Sequence, residues 1–216
     1  ERWDGGLVTN PNCVVTGVAL ALAPLHRELG LEAVVLTSFQ AISGAGRPGP
    51  PAADLVDNVL PHIPGEEEKL GPEIRKILGT MGKGRIDDAA IAVSATTTRV
   101  PVLHGHLASL SLAFREDADP GTVAEVLREY RSPVVGDELP LAPPCALRVM
   151  DEPDRPQPRL DRDAGGGMTV SVGRIRSCPV HHVRMIVLSH NLVRGAAGAA
   201  LLNAELCRAG GWLESR

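Results

Sequence analysis

The sequence predicts an α+β fold in which a mixed, largely antiparallel sheet is covered by helices on one face. Three observations carry that reading. Strand-like segments outnumber what strand–helix–strand units would use, the helix-like segments between them have caps and breakers at their ends, and 216 residues with 44% hydrophobic content can bury a core as one large domain or two small ones. There is no internal repeat, and no G-x-G-x-x-G follows a strand.

The first helix is expected over Cys13 to Leu29, where CVVTGVALALAPLHREL has apolar residues at helical spacing, Asn12 as its N-cap and Gly30 as its stop. Pro24 predicts a kink or an early end, because its ring removes an N–H and crowds the preceding turn. LEAVVLTSFQ (31–40) reads as a buried strand and AISGAGRPGPP (41–51) as loop. EEEKLGPEIRKIL (66–78) returns to helical spacing, with acids where the helix dipole favours them. Strands follow in AAIAVSATTTRVPV (89–102) and GHLASLSLAF (105–114), then a helix in PGTVAEVLREY (120–130). Pro140 to Pro158 reads as a proline-rich surface stretch. MTVSVGRIR (168–176) and HVRMIVLS (182–189) are the last strands, and AAGAALLNAELCRAG closes the chain as a helix.

Composition narrows the function. A net charge of -4, from 22 Lys and Arg against 26 Asp and Glu scattered along the chain, gives no basic face for nucleic acid and no polybasic run for anionic membranes. A small-molecule partner is the better default. Cys13, Cys145, Cys178 and Cys207 lie far apart with no CxxC pair, which fits reduced thiols and a cytoplasmic location. Apolar runs are broken before the roughly 18 residues of a membrane span, and ERWDGG lacks the plan of a signal peptide. The absence of an initiating Met suggests a processed or cut chain.

TNPNCVVTG (9–17) places a thiol on the first turn of a helix, where unpaired N–H groups and the positive end of the dipole predict a lowered pKa. Cys13 is thus either a nucleophile or a small buried hydrophobe. Its company favours the first: Gln40 ends a strand, SGAG is flexible backbone beside it, and RVPVLHGH carries Arg99 and His106. Their odd separation would place them on opposite faces of one strand, unless Pro101 and Gly105 permit a turn or bulge. EEEK and Arg99 could equally be ordinary solvated charges. His104 with His106, and Cys178 with His181 and His182, lack the regular spacing of four zinc ligands, so no metal is expected. Arg174 and Arg176 could face solvent or a partner subunit.

Taken in order, TNPNC, QAISGAG, GEEEKL, RVPVLHGH, DRPQPRLDRD, GMTVSVGRIR and HNLVRGAAG resemble the aspartate-semialdehyde dehydrogenase family in its archaeal and fungal-like branch, from Thr9 to about Gly198. That resemblance implies a domain like the C-terminal domain of glyceraldehyde-3-phosphate dehydrogenase, with residues 1–216 as the catalytic and dimerisation domain. The N-terminal Rossmann domain is not found in the chain, and a last helix at about 193–209 would pack on it. It implies NADP-dependent conversion of aspartyl-4-phosphate to aspartate-4-semialdehyde through a thioester, on the route to lysine, methionine and threonine. Cys13 would be the nucleophile, His106 the general acid/base and Gln40 the residue that orients the intermediate. Arg99 would hold the substrate carboxylate, Glu66 its amino group and Lys69 the phosphate, with the three glutamates leaving the register open by one position. Ser43, Gly44 and Asn191 would line the nicotinamide, and the chain would form a homodimer or homotetramer. The alternatives are a reductase of malonyl-CoA or acetylglutamyl phosphate, or a catalytically silent assembly domain of the same fold.

Overall fold

The computed structural model describes residues 6–134 and 139–213, so ERWDG at the start lies outside the described residues. The elements run α1 (Cys13–Leu29), β1 (Leu31–Gln40), α2 (Ala52–Leu55), α3 (Glu67–Ile77), β2 (Thr80–Met81), β3 (Ile86–Asp87), β4 (Ala92–Arg99) and β5 (His106–Phe114). They continue with α4 (Pro120–Glu129), β6 (Leu147–Met150), α5 (Pro158–Asp161), β7 (Val170–Ser177), β8 (Val183–Ser189), a π-helical turn (Val193–Ala197) and α6 (Gly198–Ala209). Six strands form one sheet in the order β4-β1-β5-β8-β7-β6. The two outer pairs, β1 with β4 and β6 with β7, are parallel, and the inner pairs are antiparallel.

One face of the sheet carries the helices. α1 lies across β1, β5, β8 and β7, with α3 beside it on β4 and α4 on β6 and β7. The strand pattern explains the choice of face. In β5, Ala108, Leu110, Leu112 and Phe114 are buried toward the helices while Leu107, Ser109 and Ser111 are only half-buried on the other side. Leu22, Leu25, Leu36, Leu110, Leu112, Val172 and Met185 form the centre of the core.

Pro24 neither ends nor interrupts α1, contrary to the sequence expectation. It lies among Val18, Ala21, Leu22 and Leu25, all buried against the sheet, and packing of this apolar stripe outweighs the local cost of one missing hydrogen bond. The stretch from Pro140 to Pro158 is not all surface. It contains β6, whose Leu147 and Met150 are buried, and its prolines flank the strand without entering it. The small β2–β3 ribbon has no strong sequence signal. The closing helix is led by the π turn, whose Gly195 lies against α1: a Cβ there would sit 2.9 Å from Cys13 Cβ.

The topology brings the functional ends together. β1 and β4 end side by side, with Gln40 opposite Arg99, while β5 begins where β8 ends, with His106 opposite Ser189. The N-terminus of α1 lies over this same end because Gly17 lets the helix approach β8. A Cβ on Gly17 would fall 2.4 Å from Ser189 Cβ. Gly17→Ala should therefore lower stability by about 1–3 kcal/mol despite the better helix propensity of alanine. Urea unfolding checks this, and adding Ser189→Gly should restore most of the loss.

Candidate active site

Asn12 fixes the thiol-bearing turn from three sides. Its Oδ1 accepts from Val14 N–H at 2.8 Å, its own N–H donates to Glu73 Oε2 at 2.7 Å, and its Nδ2 donates to Glu66 Oε2 at 2.8 Å. Glu73 follows Glu66 by seven residues and lies on the same side of the segment, a spacing that sequence reading could have used. Of the three glutamates, Glu66 lines the cavity described below, Glu67 accepts from Thr97 N–H at 2.8 Å and braces β4, and Glu68 is exposed.

Cys13 Sγ lies 3.3 Å from His106 Nε2. On the far side of the ring, Ala41 N–H donates to Nδ1 at 3.0 Å. A neutral imidazole whose Nδ1 accepts carries its proton on Nε2, so that proton points at the sulfur. Ala41 also uses its carbonyl, which accepts from Arg99 Nη1 at 2.9 Å. Arg99 and His106 thus reach one site without a bulge: β1 separates their strands, and both side chains close on the residue that follows it.

Cys13, Gln40, Gly44, Arg47, His62, Glu66 and Arg99 line a cavity of about 450 Å³. No sequence signal marks Arg47 or His62. Gln40 is buried, and its Nε2 donates to Glu66 Oε2 and Ser38 Oγ, each at 3.3 Å. Lys69 Nζ stands 3.7 Å from Glu66 Oε1 on a mostly exposed side chain. Gly44 keeps the front of the imidazole open, since a Cβ there would lie 2.9 Å from both His106 Nε2 and Arg99 Nη1. Asn191 is buried beside it, accepting from Gly105 N–H at 2.8 Å and donating to Ser43 Oγ at 2.9 Å. Away from this cluster, Cys178 and His181 both bond Ser111, His182 accepts from Phe114 N–H, and Arg174 is exposed on a bulge of β7. Among the described residues no group of three or more His, Cys, Asp or Glu could hold a metal ion.

The electrostatics correct one sequence expectation. Burial first, then the Glu66 carboxylate, pushes the Cys13 thiol up to about 11, although the backbone N–H groups of Cys13 and Val14 pull the other way. Burial, with Arg99 and His190 nearby, takes His106 down to about 3. The resting pair is therefore a neutral thiol facing a neutral imidazole. Cys178 differs: its hydrogen bonds with Ser111 and the His181 N–H lower its pKa.

A sulfur able to attack a carbonyl carbon, beside an imidazole that already presents a proton, can hold an acyl group as a thioester and protonate the oxygen that develops next to it. Fold and site together present a buried thiol–imidazole pair at the head of a cavity. The sequence model of the family described as "Semialdehyde dehydrogenase, dimerisation domain" matches residues 22–194, and the chain belongs to that family. It is 48% identical over 204 residues to the aspartate-semialdehyde dehydrogenase of Archaeoglobus fulgidus, covering 94% of this chain and 58% of that protein. Against the enzyme of the same name from Aspergillus fumigatus it is 45% identical over 218 residues, covering 97% of this chain and 60% of the relative. Its structure matches that of aspartate semialdehyde dehydrogenase with NADP from Candida albicans, with a TM-score of 0.85 and 41% identity over 94% of this chain and 57% of the other. The chain thus spans 58% of the length of its archaeal relative.

Two measurements follow from these charges. Iodoacetamide labelling read by mass spectrometry should reach Cys178 before Cys13 near neutral pH, and Glu66→Gln should move the Cys13 labelling curve to lower pH. Because folding holds His106 neutral, its contribution to stability is complete above the ordinary 6.5 and is lost as pH falls toward 3. Urea midpoints across that window should decline, and less steeply in His106→Asn.

Proposed function

We propose that this chain is the substrate-handling and dimer-forming part of an NADP-dependent aspartate-semialdehyde dehydrogenase. The observation that carries the reading is the 3.3 Å approach of Cys13 Sγ to the protonated Nε2 of His106, beside a cavity walled by Glu66 and Arg99. The names of the relatives supply the substrate class.

In this reading Cys13 attacks the acyl carbon of aspartyl-4-phosphate, the C–O bond to phosphate breaks, and the acyl group remains on sulfur as a thioester. Arg99 holds the substrate α-carboxylate with the guanidinium nitrogens left over from its bond to Ala41. Glu66 pairs with the substrate ammonium and Lys69 meets the phosphate. Pairing of Glu66 with an ammonium relieves the repulsion that, after burial, raises the thiol pKa, and the thiol proton leaves with the phosphate as sulfur attacks. Gln40 orients the acyl group, and His106 Nε2–H protonates its oxygen as the carbon is reduced.

NADPH supplies the hydride in that reduction. The residues present fit its nicotinamide end: Gly44 leaves open the space before His106 that a Cβ would fill, and the Asn191–Ser43 bond fixes the wall beside it. The helix-free sheet face, with Val35 exposed and Leu107 and Ile186 half-buried, fits a second copy of the chain as a homodimer. Residues 193–209, at the end of the chain, fit a helix that packs on the cofactor domain. Four unlinked cysteines fit a reducing compartment such as the cytoplasm, and among the described residues no helix is long and apolar enough to cross a membrane.

In the full-length protein, Cys13→Ser should abolish reductive dephosphorylation, while His106→Asn should slow turnover by about 10²–10⁴-fold. Arg99→Lys should raise KM and leave Cys13 labelling unchanged. More than trace activity in Cys13→Ser would sink the covalent mechanism. Light scattering on the chain should give twice its monomer mass.

A further inference from the structure

We propose that His190 is a positioning residue, a pH-dependent cap that holds the turn carrying Asn191 and Gly195 against the site only while its imidazole is neutral. Its Nδ1 accepts from both Leu192 N–H and Val193 N–H, each at 3.3 Å. Acceptance from the second and third residues onward is the N-cap pattern, normally supplied by Ser, Thr, Asp or Asn, whose side chains accept over a far wider pH range. Here an imidazole supplies it, to the turn that leads into the helical run formed by the π turn and α6, whose own N-cap residue, Leu192, has no side-chain cap bond.

The capped turn touches the site at two points. Gly195 N–H donates to His190 O at 2.9 Å, which sets the glycine where its missing side chain makes room for Cys13. Asn191, next in sequence, holds the Gly105 N–H immediately before His106. The His190 ring also stacks on His104, with centroids 5.8 Å apart and planes 17° from parallel, so it joins the turn to the strand entry that bears His106. Releasing the cap would loosen the support of both members of the thiol–imidazole pair.

A proton on Nδ1 would point at two N–H groups that already occupy that lone pair, leaving both without an acceptor. The titratable and charged groups around the ring are His104 on the stacked face, Asp163 with Oδ1 3.8 Å from Nε2, Arg162, and His106 within electrostatic reach. Burial lowers the pKa of His190, with His104 and Arg162 adding to the effect and Asp163 opposing it. The cap is accordingly intact at neutral pH and released in acid.

The effect on turnover rests on the roles proposed for Cys13 and His106, whereas the cap itself can be read from amide exchange whether or not the enzyme turns over. Hydrogen exchange across residues 192–197 and Cys13 alkylation would be followed in the wild type, His190→Asn, His190→Leu and Asp163→Asn between about pH 5 and 8. In the wild type, protection of the Leu192 and Val193 amides should fall on the order of tenfold on acidification, with Asp163→Asn moving the step to lower pH. His190→Asn should keep the protection without the step, and His190→Leu should lose it at every pH and alter the Cys13 labelling rate. Protection that survives in His190→Leu, or the same acid step in His190→Asn, overturns the proposal. If His190→Leu fails to fold, His190→Asn and Asp163→Asn decide it. In the full-length enzyme, His190→Asn should flatten the acid limb of kcat, and an inactive enzyme with an intact exchange step would count against the roles of Cys13 and His106 alone.

Discussion

Ala41, the buried residue that follows β1, offers its backbone to two side chains at once. Its N–H goes to His106 Nδ1 and its carbonyl takes Arg99 Nη1. The first bond decides which imidazole nitrogen bears the proton, and the second fixes the guanidinium relative to that ring. Neither could form if β1 ended a residue earlier, because the two side chains arrive from strands on either side of it. The site is therefore a consequence of strand order, with α1 adding the thiol from above.

Two effects compete at Cys13, and their sizes decide the outcome. A helix N-terminus favours a negative charge by about 0.3–1 kcal/mol, or about 2 in partly buried geometry. The rise from 9.0 to about 11 corresponds to roughly 3 kcal/mol in the other direction, net of that help. Desolvation and a nearby carboxylate outweigh the dipole. A thiol held in this way stays protonated at neutral pH and is a weak nucleophile toward oxidants and stray electrophiles.

Much of this was legible in the sequence because it was written locally. Asn12 and Gly30 bound α1 as caps, the alternation in GHLASLSLAF assigns β5 to the sheet and one of its faces to the core, and the acids of EEEK mark the start of α3. What was illegible depends on distant partners. β6 is hidden among prolines because its hydrogen bonds come from β7, and Pro24 is tolerated because the sheet lies beneath it. The thiol pKa reads wrongly from position alone because Glu66 and the burial come from other segments. Spacing does not reveal that one peptide segment joins Arg99 to His106, since the link runs through a backbone that any residue type could supply.

At the site end of the sheet, the outer edge of β4 is already occupied. Thr97 N–H is taken by Glu67, and Arg99 exchanges both backbone hydrogen bonds with Leu60. An incoming extended segment finds no row of free donors and acceptors there, so the sheet cannot be lengthened at that end by strand addition. Arg99 and Leu60, which line the cavity, thereby also close this end of the β4 edge.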